Sequence, residues 1–294
     1  MTLFYRRLPR FNYCAPATIA EALALLAEHK GKARLLAGGT DLVPQLKRRE
    51  TTIPDYVIDL KGIAGLKEIV YDDAKGLTIG ALATITAIEQ SADVRRHYPI
   101  LAQAALLMAS PQVRNRGTFA GNICNAAASA DSAPSLLVLE ATVQIKGPGG
   151  DRVLPLAEFF TGPGRTALQA DEMVTAIHLP KQPQGMRGVY LKLSPRHSMD
   201  LAVVGVAASG IYENGLCRQI RIGLGAVAPT PMRATGAESV LAGKNVTPQL
   251  IDEAAQSAVS ECSPRKDSHR ASPEYRRDMV YVMTRRAINQ VLVQ

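Results

Sequence analysis

The sequence predicts an α+β protein with short strands, built as two compact units. Three observations carry this reading. The chain has 294 residues, more than a single compact domain usually holds. Short apolar runs suited to strands alternate with stretches of helical period. Between the two halves, Pro180-Lys181-Gln182-Pro183-Gln184-Gly185 sets two prolines and a glycine among polar residues, the clearest linker in the chain. Hydrophobic residues make up 47% and aromatics only 5%, with no Trp, so the core must be built from Ala, Leu, Val and Ile.

Taken in order, Pro16-Ala17-Thr18 leads into a helix. Thr18-x-x-Glu21 is its capping box, Ile19, Ala22, Leu23 and Leu26 share one face, and Gly31 stops it. Residues 33–37 read as a short buried strand, and Leu42 opens a helical stretch. Residues 56–60 form another strand, and residues 66–71 and 77–81 flank a polar turn as a hairpin. Thr84 caps a short helix, and residues 98–108 form a longer apolar one. After Asp131 the chain is helical to about Glu140, and Gly147-Pro148-Gly149-Gly150 turns a second hairpin between residues 142–146 and 152–155. A strand at 173–179 closes this half. Beyond the linker, residues 188–193, 202–212 and 217–226 are expected in an antiparallel sheet, with helices at 248–262 and 273–292 covering one face.

Composition excludes several functions. No apolar run reaches the ~18 residues of a membrane span, and Met1-Thr2-Leu3-Phe4-Tyr5-Arg6-Arg7 lacks an export signal's apolar core, so a cytoplasmic protein is expected. Cys14, Cys124, Cys217 and Cys262 lie far apart, and the histidines show no metal-ligand spacing; neither zinc nor an iron–sulfur cluster is expected in this chain. No Gly-x-Ser-x-Gly elbow is present. The net charge of +8 is scattered without interleaved aromatics, which suits a solvated face or an acidic partner rather than nucleic acid.

Two glycine-containing stretches carry the chemistry. In Leu35-Leu36-Ala37-Gly38-Gly39-Thr40-Asp41-Leu42, the glycines turn the chain sharply after a strand and bare its N–H groups beside a helix start, a setting suited to an anion. Thr118-Phe119-Ala120-Gly121-Asn122-Ile123-Cys124-Asn125 repeats the logic, with Thr118, Asn122 and Asn125 as uncharged donors, and reaches Asp131 through small residues. Each stretch alone reads as a tight turn into a helix. Together they point to a bound dinucleotide, with flavin adenine dinucleotide (FAD) the best candidate. Neither fits the Rossmann glycine pattern, and no Walker lysine follows. A third stretch, from Lys192 to Ala202, reads either as a charged surface hairpin loop or as a segment that turns a lysine toward the flavin.

In order along the chain, Phe11-x-Tyr13-x-x-Pro16 with Glu21-Ala22-Leu23, Ala37-Gly38-Gly39-Thr40-Asp41-Leu42, Thr118-x-x-Gly121-Asn122-Ile123 and Lys192-x-x-x-Arg196-x-x-x-Asp200-x-Ala202 resemble the FAD-binding medium subunit of the molybdenum hydroxylases. This is the family of xanthine dehydrogenase, molybdenum carbon monoxide dehydrogenase and 4-hydroxybenzoyl-CoA reductase. The resemblance spans nearly the whole chain. It implies an FAD-binding domain of the vanillyl-alcohol-oxidase (PCMH) type over residues 1–180, with subdomains at about 1–57 and 58–180. A smaller α+β domain with an antiparallel sheet would follow over residues 186–294.

By the same resemblance, Leu35, Leu36, Ala37, Gly38, Gly39, Thr40, Asp41 and Leu42 line the cofactor together with Thr118, Phe119, Ala120, Gly121 and Asn122. Asn125 and Asp131 lie near the diphosphate and sugar. Met108, Val174, Lys192 and Leu201 complete the set, Met108 where relatives often carry an aromatic, and Lys192 stabilising reduced, anionic flavin by its charge. Ala120 departs from the usual Gly-Gly-Asn. Thr40 stands in the neighbourhood where covalent relatives carry His or Cys, so the FAD would be held without a covalent bond. Cys124 runs to Asp131 without the cysteine-rich insertion of the 4-hydroxybenzoyl-CoA reductases.

The function implied is electron transfer. A small [2Fe–2S] subunit would pass electrons to FAD here, a large molybdopterin subunit would transform the substrate, and an external acceptor would take electrons from FAD, all in a dimer of heterotrimers. No general acid or base in this chain is needed. The alternative enzyme reading is a stand-alone FAD-dependent oxidase or reductase with its own organic substrate; a non-enzymatic reading is a basic binding protein whose glycine stretches are turns.

Overall fold

The computed structural model describes residues 7–196 and 198–293. Its first lobe comprises β1 (Asn12–Cys14), α1 (Ile19–Glu28), β2 (Ala33–Leu36), α2 (Leu42–Arg48) and β3 (Tyr56–Asp59), with the strands parallel in the order β1-β3-β2. Parallel neighbours need crossovers, which α1 and α2 supply. The Thr18 hydroxyl caps α1 by accepting the Glu21 N–H at 3.1 Å, while the Glu21 carboxylate accepts the Ala17 N–H at 2.8 Å. Ala22, Leu26 and Ile58 form the lobe's core with Leu66, Leu82 and Met173 from the next lobe, so the two are sealed by one apolar cluster.

The second lobe runs through β4 (Ile69–Asp72), β5 (Gly76–Gly80), α3 (Ile85–Gln90), α4 (Ala92–His97), α5 (Pro99–Leu106), α6 (Pro111–Arg114), α7 (Phe119–Asn125) and α8 (Ser132–Val138). It ends with β6 (Thr142–Gly147), β7 (Gly150–Pro155), α9 (Leu156–Phe159), β8 (Phe160–Gly162), β9 (Arg165–Thr166) and β10 (Met173–Leu179). The five-stranded sheet β4-β5-β10-β6-β7 is antiparallel, and both expected hairpins sit at its edges. Central β10 is buried along nearly its whole length, which is why five of its seven residues are apolar.

Two readings change here. The single helix expected at 98–108 begins at Pro99 and ends at Leu106, with α4 a separate helix before it. Proline at the first helical position cannot donate a backbone hydrogen bond, so α4 cannot continue through it. The second glycine stretch is a helix, α7, capped by the Thr118 hydroxyl, which accepts the Gly121 N–H at 2.9 Å.

The C-terminal part contains β11 (Arg187–Leu193), β12 (Val204–Glu213), β13 (Leu216–Gly225), β14 (Met232–Arg233), α10 (Thr235–Leu241), α11 (Pro248–Glu261) and α12 (Pro273–Leu292). Its strands form an antiparallel sheet in chain order. Helices α10, α11 and α12 share a core with it, while α8 of the second lobe packs against the sheet as well. All seven residues of α8 are buried, and a Cβ at Gly223 would lie 2.6 Å from the Pro134 carbonyl oxygen, so glycine is what lets β13 approach that helix. The Ser209 hydroxyl donates to the Val138 carbonyl at 2.9 Å across the same contact. Among the described residues no helix is long and apolar enough to cross a membrane.

Candidate functional site: a cleft lined by three parts of the chain

A cavity of about 870 Å³ opens where the three parts meet, toward the upper end of what small-molecule and cofactor sites occupy. From the first lobe it is lined by residues 35–42. Met108, Thr118, Ala120, Gly121, Asn122, Asn125, Asp131 and Val174 line it from the second lobe, and Leu201 from the C-terminal part. Every expected site residue except Phe119 and Lys192 therefore faces one space.

The first glycine stretch packs against the backbone that leads into the second, at Arg116 and Gly117. A Cβ at Gly38 would lie 2.0 Å from the Arg116 carbonyl oxygen and 2.9 Å from the Gly117 Cα, so only a residue without a side chain lets the loops meet. Gly39 has φ +76°, the left-handed conformation that turns the chain from β2 into α2. Among the described residues, the N–H groups of Gly38, Gly39, Thr40, Asp41 and Leu42 donate to no protein acceptor. Five unpaired donors in succession are unusual in a folded chain and suit an anionic ligand.

Side chains from both lobes frame this cradle. Gln45 Nε2 donates to Asn125 Oδ1 at 3.1 Å, joining α2 to α7, and Ser132 Oγ donates to Asn122 Oδ1 at 2.6 Å. With their oxygens engaged, both asparagines keep their NH₂ groups as donors. Lys30 Nζ meets Asp171 Oδ2 at 2.6 Å and bridges the lobes a second time. Ala120 is 4% exposed and belongs to the second-lobe core, so the methyl that replaces a glycine hydrogen occupies packed space.

Phe119 and Lys192 stand apart. The Phe119 side chain is fully buried in the second-lobe core. Lys192 is not among the residues that line the cleft: its ammonium, 6% exposed, contacts Asp131 Oδ2 at 2.8 Å and donates to the Leu107 carbonyl at 3.1 Å. Asp131 Oδ1 accepts from the Tyr190 hydroxyl at 2.8 Å, so one carboxylate at the start of α8 holds two side chains of β11. Burial pushes the Asp131 carboxyl up, against the pull of Lys192 and Tyr190. The Tyr190 phenol is held well above its ordinary range by burial and by the Asp131 charge.

Sequence reasoning missed part of the wall. Gly117 faces the Thr40 hydroxyl, and Arg196, Met199, Asp200 and Arg270 line the cleft from the C-terminal part. Arg196 and Asp200 belong to the third motif, which offered the signal; Arg270 reaches the site only through tertiary folding. His197 of that motif lies outside the described residues. Met199, at φ +55°, donates its N–H to the Ala109 carbonyl at 3.3 Å, which latches this loop to the second lobe. Among the described residues no group of three or more His, Cys, Asp or Glu is placed to hold a metal.

Comparison with known proteins covers nearly the whole chain. Residues 9–182 match the family described as the FAD binding domain in molybdopterin dehydrogenase, and residues 189–291 match the CO dehydrogenase flavoprotein C-terminal domain. The putative xanthine dehydrogenase FAD-binding subunit of Escherichia coli K12 is 36% identical over 282 residues, 96% of each chain. The carbon monoxide dehydrogenase medium chain of Hydrogenophaga pseudoflava is 37% identical over 281 residues, again 96% of each. In the solved structure of carbon monoxide dehydrogenase from that organism, a chain 36% identical superposes with a TM-score of 0.93, covering 96% of this chain and 97% of that one. Quinoline 2-oxidoreductase from Pseudomonas putida 86 gives a TM-score of 0.90 at 31% identity, covering 97% and 98%.

Proposed function

The chain belongs to the family of FAD-binding medium subunits of molybdopterin-dependent dehydrogenases, and from that premise we propose that it is the electron-transfer subunit of a heteromeric molybdenum hydroxylase. It receives electrons from the [2Fe–2S] clusters of a small subunit, while a large molybdopterin subunit acts on the substrate. An external acceptor takes the electrons from FAD. The assembly is a dimer of heterotrimers in the cytoplasm.

The observation that carries the cofactor assignment is the run of unpaired N–H groups from Gly38 to Leu42, pressed against the second lobe where a Cβ would collide with Arg116. The cradle fits a diphosphate: the donors are neutral backbone groups, supplemented by the Thr40 and Thr118 hydroxyls and the Asn122 and Asn125 amides. FAD in this cleft supplies exchange between one-electron and two-electron carriers, a chemistry that belongs to the cofactor. The chain's own residues bind and orient it. Thr40, rather than a histidine or cysteine, stands beside the first loop and offers a hydrogen bond, which supports a cofactor held without a covalent link. Lys192 acts through Asp131, fixing the carboxylate at the cleft wall and locking β11 to α8. With Met108 and Val174 nearly buried at the wall, the cleft excludes water from part of the bound ring system.

The domain division proposed from sequence, residues 1–180 and 186–294, places the FAD cradle in the first domain. Purification of the native assembly tests the function. Molybdenum, iron and flavin in one particle are expected, and a lone chain that turns over an organic substrate contradicts the assignment.

A further inference from the structure

One turn of the cleft wall is held at every carbonyl. Helix α5 ends at Leu106, and residues 107–109 then turn the chain toward α6. Lys192 Nζ donates to the Leu107 carbonyl at 3.1 Å and Arg114 Nη1 to the Met108 carbonyl at 3.1 Å. The Ala109 carbonyl accepts from Ser198 Oγ at 3.2 Å and from the Met199 N–H at 3.3 Å. Ala109 has φ +45°, a left-handed conformation that a residue with a side chain keeps only where its surroundings impose it. Met108 and Ala109 line the cavity, and Met108 is 5% exposed.

Arg114 grips the middle of this turn, and nothing in the diphosphate cradle accounts for it. Its side chain, 12% exposed, projects from α6, and its Nε lies 3.2 Å from Oε2 of Glu89 on α3, itself 19% exposed. A pair this far buried gives little net stability over apolar side chains of the same volume. What it does supply is fixed geometry. The planar guanidinium sets Nε beside the carboxylate and Nη1 on the Met108 carbonyl at once, which a lysine cannot do. Methionine is unbranched and flexible, so the wall that Met108 forms is only as defined as the backbone that carries it. Neither Arg114 nor Glu89 lines the cavity, so any effect of theirs on a bound cofactor passes through the backbone they hold.

We propose that Arg114, anchored by Glu89, is a positioning residue for FAD: it fixes the Met108 carbonyl, and through it the Met108 side chain, as a firm wall against the cofactor's ring system. The inference rests on the proposed function, in which FAD fills this cleft. Arg114 touches no part of the cofactor and moves neither proton nor electron. With the turn released, Met108 moves between rotamers and water reaches the surface it covers, so FAD leaves faster while the diphosphate cradle stays intact.

The test uses the intact, flavin-loaded complex, with FAD release on dilution followed by the fluorescence of the freed flavin. Arg114→Gln removes the charge from both contacts and is expected to speed release about tenfold. Arg114→Lys keeps a charge beside Glu89 and recovers part of the loss. Glu89→Gln, an isosteric change outside the cavity, acts in the same direction and takes the place of Arg114→Gln throughout if that variant does not assemble. The decisive comparison is with Met108→Ala, which removes the wall itself. That variant also speeds release, and Arg114→Gln added to it should speed release no further. A residue that merely supports the fold would instead add its effect to that of Met108→Ala. Additive effects, or release at the wild-type rate from both Arg114→Gln and Glu89→Gln, overturn this inference alone. A wild-type complex that holds no FAD overturns the cofactor assignment and this inference with it.

Discussion

Gly38→Ala is the smallest perturbation that separates the two loops. The added Cβ would lie 2.0 Å from the Arg116 carbonyl oxygen, 2.6 Å from its carbon and 2.9 Å from the Gly117 Cα, and all three atoms are backbone. Ordinary contact begins near 3.4 Å, so the second-lobe backbone must retreat by more than an ångström. No side-chain rotation relieves this. Overpacking of this kind costs about 1–3 kcal/mol, and at least the upper value is expected here. For a domain of this size that lowers Tm by about 6–12 °C. Displacing Arg116 and Gly117 also shifts Thr118 and the start of α7, which changes the cradle from its second side. The assay is FAD stoichiometry from absorbance after gel filtration, read together with the thermal melt. Gly121→Ala is the comparison: its Cβ would lie 2.9 Å from the Thr118 hydroxyl, a side-chain atom that can rotate away at the cost of one helix cap, about 0.5–2 kcal/mol. Gly38→Ala should lose FAD far more completely than Gly121→Ala. Full FAD occupancy with an unchanged melt in Gly38→Ala refutes the reasoning.

Asp131→Asn leaves the Lys192 ammonium buried without its counter-charge and is expected to destabilise the protein by about 3–5 kcal/mol in urea titrations, whereas Asp131→Asn combined with Lys192→Met recovers a substantial part; strict additivity would contradict the pairing. Acid stability should report Glu172, whose carboxyl is held below its ordinary value of 4.5 by its hydrogen bond from Arg152. A lowered folded-state pKa gives stability that is present above 4.5 and lost as pH falls through the folded-state value. The gap in Tm between the wild type and Glu172→Gln should therefore be present at pH 7 and shrink on acidification below that value; a constant gap refutes it.

Local chemistry explains which parts were legible in the sequence. Strand β10 and helix α12 match the expected 173–179 and 273–292, because one is a mostly apolar run ended by Pro180 and the other is capped by Ser272 with proline in its first turn. The capping box at Thr18 is likewise written locally. Helix α7 was hidden because Gly121, Asn122 and Asn125 are poor helix formers; its cap and the packing of Phe119 and Ile123 override that propensity. Short α6 carried a signal in Ser110-Pro111, a cap followed by proline, but four residues are too few for periodicity to show.

In the site, the first glycine loop could be read because the close approach at Gly38 and the positive φ at Gly39 demand glycine. Phe119 shared the motif yet points into the core, since a helix start presents its residues in several directions. The charge of Lys192 suggested a ligand, but Asp131, 61 residues earlier in the chain, captures it. Arg270 joins the rim through the fold of the C-terminal part, and no local pattern announces a contact with Asp200.

The central claim is that two loops from different lobes grip one FAD. A density map of the native complex tests it most directly. The account predicts one FAD per chain in the cleft, its diphosphate on the N–H groups of residues 38–42 and its far side against α7, with all flavin released by acid precipitation. A map with flavin bound elsewhere, or flavin that stays attached after acid treatment, would contradict it.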